Sequence, residues 1–171
     1  AYNTLPKKSR RLLHARIAKT LEEKFAERVQ LEPELLAYHF EQAGLTRQAI
    51  TYWRLAARRD TDRSANVEAL NHFNRALTLL KDVPAGTERD VLELELLIAR
   101  GAPMVTVKGY ASQEIEQNYL RAKELSQENF DSEHHFLAHW GLWVFHLVRG
   151  PLATACDLAE HLLSQAKHEH N

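Results

Sequence analysis

The sequence predicts an all-α protein of about eight antiparallel helices paired into hairpins. Three observations carry that prediction. Apolar residues recur at three- and four-residue steps along most of the chain, which is the period of a helix with one buried face. Prolines, glycines and cap residues break this pattern at helix-length intervals. Alternating runs of β-branched residues, the mark of half-buried strands, are missing.

The first helix is predicted from about Pro6 to Val29, with Leu12, Leu13, Ile17, Leu21 and Phe25 forming its apolar stripe and a strongly basic opposite face. Pro33 opens the second, because a proline at the first helical position gives up no intrahelical hydrogen bond, and Gly44 closes it. A third runs through Arg59 and a fourth from about Ala65 to Leu80. Pro84 and Gly86 separate the fourth from a fifth near Thr87 to Arg100. Gly101 to Ala111, punctuated by Gly101, Pro103 and Gly109, is expected to be the longest loop. A sixth helix then starts at Ser112, with Glu114 and Glu116 in its first turn, and reaches about Gln127. The last two span roughly Ser132 to Val148 and Pro151 to Lys167, joined by Arg149-Gly150-Pro151.

Length and composition narrow the function classes. The 171 residues fit one domain or a short array, and 44% hydrophobic with 26% charged residues is the balance of a folding chain. With 22 Lys and Arg against 23 Asp and Glu, no whole-molecule field favours nucleic acid or an anionic membrane, and neither is expected as a partner. No apolar run approaches the ~18 residues of a spanning helix. Cys156, the only cysteine, excludes an internal disulfide, suits the cytoplasm, and is expected as a small buried helical residue. The chain begins at Ala1, which reads as a piece of a larger protein.

One pattern recurs. Ala49, Trp53 and Ala56 repeat as Ala69, Phe73 and Ala76, then as Ile115, Tyr119 and Ala122, with a partial copy in Ala155, Ala159 and Leu162. Gaps of four and three put the members on one helical face, where small residues let a neighbouring backbone approach and the aromatic fills the remaining space. Leu36-Ala37, Phe40 and Gly44 precede the first copy at the offsets of the leading helix of a TPR repeat. The sequence therefore reads as residues 1–30, a basic N-terminal linker helix, followed by residues 31–171, a single TPR-like helical-repeat array (α-α superhelix).

The order of several short motifs extends this reading. They are Arg10-Arg11 with Leu13-His14 and Ile17-Ala18, Pro33-Glu34-Leu35-Leu36-Ala37-Tyr38-His39-Phe40, Ala43-Gly44-Leu45, Gln48-Ala49-Ile50 with Tyr52-Trp53, and Arg63-Ser64-Ala65-Asn66 with Glu68-Ala69. Lys108-Gly109-Tyr110 and Trp140-Gly141-Leu142-Trp143 with Leu147-Val148-Arg149-Gly150 complete the set. Together they resemble the C-terminal helical region of large bacterial signalling proteins that join an adenylate/guanylate-cyclase-like or other output domain to a STAND-type ATPase. The resemblance implies that ATPase or cyclase activity belongs to domains N-terminal to this region. It implies a sensing or restraining role for the region itself. No Walker loop is present, and the six glycines are scattered, so no nucleotide site or other cofactor is expected here.

Candidate contact residues follow from the repeat. Tyr38, Glu41 and Gln42 lie on the leading helix away from Leu36 and Phe40, on the side where TPR arrays present a groove. Lys108 and Tyr110 sit in the predicted longest loop, where function tends to collect. His135 and His139, at i and i+4, have the spacing of a metal-ligand pair, but the sequence offers no third ligand and no metal site is assigned. His168-Glu169-His170 reads as a frayed terminus. Two basic strips, Lys7, Lys8, Arg10, Arg11, Arg16 and Lys19, then Arg54, Arg58, Arg59 and Arg63, read as solvated faces, and the first could instead meet a preceding ATPase region. The segment Phe136 to Val148 is apolar on nearly all sides, so it is expected either in the core or beneath another subunit.

The functional expectation is a non-catalytic module that binds a protein or peptide partner, or the neighbouring ATPase domain of its own chain, and couples that contact to an output domain. The alternative is a rigid connector or oligomerisation arm with no external ligand. A groove filled by the first helix would favour the alternative. An enzyme is the weakest reading, because no nucleophile and base stand at a recognisable spacing.

Overall fold

The computed structural model describes residues 6–128 and 132–169. These form ten α-helices: α1 (Lys7–Lys24), α2 (Ala26–Leu31), α3 (Pro33–Ala43), α4 (Thr46–Asp62), α5 (Asn66–Leu80), α6 (Thr87–Ala99), α7 (Gly101–Lys108), α8 (Gln113–Glu128), α9 (Ser132–Arg149) and α10 (Leu152–Glu169). Chain neighbours are mostly packing neighbours, an arrangement consistent with a helical-repeat protein. The contacts group into two compact units, Ala1–Pro84 and Ala85–Asn171. No helix among the described residues is long and apolar enough to cross a membrane.

In the first unit, α3 opens on Pro33 and ends where Gly44 takes up left-handed geometry (φ 78°). There the amides of Gly44 and Leu45 return to the carbonyls of Glu41 and Phe40, closing the last turn. The helix predicted to run unbroken to Val29 is instead two. Phe25 leaves helical geometry (φ −132°, ψ 43°), and Glu32 does the same, as a residue before proline is pushed to do. The buried face of α1 is also displaced from the predicted stripe. His14 and Ala18 are buried, whereas Leu12, Leu13 and Phe25 are exposed, because the small Ala18 lets α1 lie close on α3.

Ala18, Leu36, Phe40 and Ala49 form the heart of that packing, with Leu21, Val29, Tyr52, Trp53 and Leu79 around them. Tyr52 also ties α4 to α1, its hydroxyl donating to Glu22 at 2.6 Å. Burial, then that bond and the carboxylate charge, push the phenol up to about 12. The α4–α5 pair carries two copies of the repeated pattern. Ala49, Ala56, Ala69, Phe73 and Ala76 have no exposed surface, which is the close approach the small-aromatic-small spacing predicts. Buried Asp60 near the end of α4 accepts from Arg59 Nη2 at 2.6 Å, and Arg59 Nη1 donates to Glu34 at 2.8 Å. His72 Nδ1 lies 3.1 Å from the other Asp60 oxygen. A buried carboxylate is tolerable only with such company.

In the second unit the segment predicted as the longest loop contains α7. Gly101 and Pro103 stand at its N-terminal end, where a proline breaks no hydrogen bond, and Gly109 (φ 78°) terminates it. The Ser112 hydroxyl accepts the Glu114 amide at 3.3 Å, giving α8 its predicted start. Tyr119, the aromatic of the third repeated pattern, is held between two glycines on other helices. A Cβ built on Gly101 or on Gly141 would overlap its ring, so α7 and α9 both approach α8 through it. Buried Asn118 spans the same layer, donating to the Leu97 carbonyl at 2.9 Å and accepting from Arg100. Leu94, Leu96, Ile115, Leu125, Ala138 and Leu142 complete the core. Cys156 is exposed rather than buried, on the outer face of α10.

Candidate functional site

The predicted groove residues of α3 separate on folding. Tyr38 is about half exposed, with its ring edge-on to His14 and His39. Glu41 faces inward: its carboxylate accepts from Trp53 Nε1 at 3.0 Å and from Arg75 Nε at 2.9 Å. Only 11% of that side chain remains accessible, so the α4–α5 hairpin occupies the group expected to meet a ligand. Gln42 is exposed and shares a polar recess with Glu41 and the α1 residues Lys7, Arg10 and Arg11. The basic N-terminal helix therefore lies over the groove side of α3. The second basic strip is interrupted by Arg59, which is committed to Glu34 and Asp60.

Beneath Tyr38, His14 and His39 share a 2.8 Å Nδ1–Nδ1 hydrogen bond, which requires a single proton between the two nitrogens. Burial, then the charge of His14, lower the His39 pKa from its ordinary value. A folded-state pKa below the unfolded one means that the unfolded chain takes up the proton first. The pair's contribution is therefore complete above about pH 6.5 and is lost as pH falls through the lowered value. Urea midpoints should drop on acidification more in the parent chain than in His39→Gln. Equal acid sensitivity of the two would remove the pair from the account.

In the second unit, Lys108 and Tyr110 take different roles. Lys108 pairs with Glu114 and so fastens the end of α7 to the start of α8. Tyr110, 51% exposed, stands with Trp140, 47% exposed, at an apolar cavity of about 230 Å³. Ala102, Val105, Tyr119, Gly141, Val144 and Phe145 line it. The volume is below the ~300 Å³ at which small-molecule sites begin and suits one large apolar side chain. Leu147 and Val148, further along α9, are also more than half exposed. The helix expected either in the core or beneath another subunit is core on one side, buried through Ala138, Leu142 and Phe145, and open on the other along Trp140 and Leu147.

Three imidazoles meet across the α9–α10 pair. His135 and His139 share one face of α9, and His161 of α10 stacks on His139 with ring centres 4.5 Å apart and planes 11° from parallel. His139 is buried, His135 half-buried and His161 exposed. Burial is the main cause that pushes His139 down to about 4, reinforced by the charges of His135, Lys123 and His161 and opposed by its bond to the His135 carbonyl. Burial, then His161 and Lys123, lower His135 as well. The i, i+4 pair was legible in the sequence and the third ring was not. Its signal lay in the hairpin, since His139 and His161 are equidistant from Gly150 and antiparallel helices bring such positions level. The terminal histidines His168 and His170 lie outside the described side chains.

No family model matches the chain, and the comparison with solved structures found no match. An uncharacterized protein of Rhizobium meliloti (strain 1021) is 28% identical over 145 residues, which cover 84% of this chain and 14% of that protein. The chain thus spans about one seventh of the length of the relative it matches.

Proposed function

We propose that this chain is a protein-interaction and signal-coupling module, TPR-like in its hairpins, within a larger cytoplasmic bacterial protein of the STAND-ATPase or cyclase-like kind. It performs no chemistry by itself. The observation that carries the reading is the apolar cavity at Tyr110 and Trp140, continued by exposed Leu147 along α9. Exposed aromatics beside a cavity sized for one side chain are the features of an interface anchor point. Support also comes from the length of the relative, in which a segment similar to this chain is a small part. A partner side chain seated among α7, α8 and α9 would favour one arrangement of these helices, and an attached output domain would respond to that bias.

A second reading, a connector packed against its own protein, is favoured by α1 lying over the predicted groove side of α3. A photo-crosslinking amino acid at position 147 of the intact parent protein, in its source cells, separates the two. The module reading expects a cross-link to a distinct protein that weakens when Trp140 is replaced by alanine. Cross-links confined to the parent protein, or none at all, would leave the connector.

A further inference from the structure

We propose that His135, His139 and His161 form a binding site for a divalent late transition-metal ion of the zinc class, clipping α9 to α10. Their ligand nitrogens lie within 4.8 Å of one another. A tetrahedral zinc with bonds of about 2.0–2.1 Å holds its nitrogens roughly 3.3 Å apart, so the site has to close by roughly 1.5 Å. His161, exposed and stacked on His139, is the ligand with solvent beside it in which to turn.

The surroundings of the two α9 histidines favour ligation over simple packing. His139 Nδ1 lies 2.9 Å from the His135 carbonyl and can only donate to it, which leaves Nε2 with its lone pair. His135 Nδ1 lies 2.9 Å from the Ser126 hydroxyl. That hydroxyl already spends its proton on the Lys123 carbonyl at 2.8 Å, so it accepts from His135, and Nε2 is again the unprotonated atom. Both tautomers are therefore set by neighbours on the far side of the ring, the device that orients ligating histidines.

The chemistry of the donors selects the ion. Three imidazoles suit zinc, cobalt, nickel and copper, whereas magnesium and calcium require oxygen ligands and gain little here. The charge of Lys123 reaches both α9 rings and opposes any cation there, so the bonds to nitrogen have to outweigh it. With three protein ligands and one of them exposed, the fourth position of a tetrahedron opens to solvent.

The test uses this chain purified without a polyhistidine tag and stripped with a chelator. Titration with Co²⁺ is expected to develop the visible absorption of a tetrahedral nitrogen site, to saturate at one ion per chain, and to be reversed by Zn²⁺. Zn²⁺ should also raise the thermal midpoint, and Mg²⁺ should not. His161→Ala, exposed and so harmless to the fold by circular dichroism, should weaken binding by more than about tenfold, and Ser126→Ala by about tenfold. A variant lacking His168 and His170 should bind as the parent does. The proposal fails if no such spectrum appears, if His161→Ala binds as well as the parent, or if binding disappears with the two terminal histidines.

Discussion

Phe73→Ala is expected to lower the unfolding free energy by about 3–5 kcal/mol, the range for removing a fully buried aromatic ring. Phe73 has no exposed surface and, among the described residues, is the largest fully enclosed side chain. The cost should fall at the upper end because the site has little room to collapse. Ala69 and Ala76, one turn to either side, are themselves fully buried, so α5 already lies as close to its neighbours as its small residues allow. Against a total stability of about 5–15 kcal/mol, such a loss shifts a large share of the chain toward unfolding. Urea denaturation followed by far-ultraviolet circular dichroism measures it. A loss below about 1 kcal/mol would mean that α4 and α5 are not clamped by this ring.

Gly141→Ala should destabilise despite replacing a helical glycine with the best helix former. Propensity alone predicts a gain of about 1 kcal/mol. The new methyl group, however, would meet the ring of Tyr119, which Gly101 bounds on another side, so relief requires the ring to leave its packed position and swing toward the cavity it lines. Overpacking of this kind costs about 1–3 kcal/mol, which outweighs the propensity gain over most of that range. The sign of the effect should depend on Tyr119. In a Tyr119→Ala background the same glycine substitution should become neutral or stabilising, because only the propensity term remains. A thermal-melt double-mutant cycle reads this coupling, and additive effects would show that the close approach is not what Gly141 provides.

How much of this was legible in the sequence varies by element. Pro33, Gly44 and Ser112 act locally through backbone geometry and side-chain capping, so the boundaries they set could be read directly. The repeated pattern was legible for a related reason. Its alanines and aromatics answer to the width of the gap between paired helices, and Ala49, Ala69, Phe73, Ile115 and Ala122 are all buried as that logic requires. The break at Phe25 was not legible, since neither proline nor glycine stands there to announce it. The helix α7 was hidden by its own glycine and proline, which resemble loop residues until their positions at the N-terminal end of a helix are known. The buried face of α1 was misread because periodicity rewards large apolar residues, and here the deciding residue was the small Ala18.

Site residues were harder to read because their partners are distant in the chain. Glu41 occupies the position of a groove residue on its own helix. What removes it from solvent is Arg75, 34 residues away on another helix. Tyr110 belongs to a predicted loop and does stand at an opening, but its companion Trp140 is on α9, whose apolar pattern distinguishes core from subunit interface no further and points to no cavity. The histidine pair of α9 showed itself through local spacing, whereas His161 became a neighbour only once α10 folded back along α9.

The short helix α2 has a consequence of its own. It is six residues long, buries none of them, and is bounded on both sides by residues outside helical geometry. A helix of that length has almost no stability alone and persists here because α1 and α3 hold its ends. Its amide hydrogens therefore exchange with solvent through brief local openings that leave the surrounding core closed. A protease sampling the folded chain would find its way in at residues 26–31. The two pieces it left would stay together, held by Ala18 against Leu36 and by the bond from Tyr52 to Glu22.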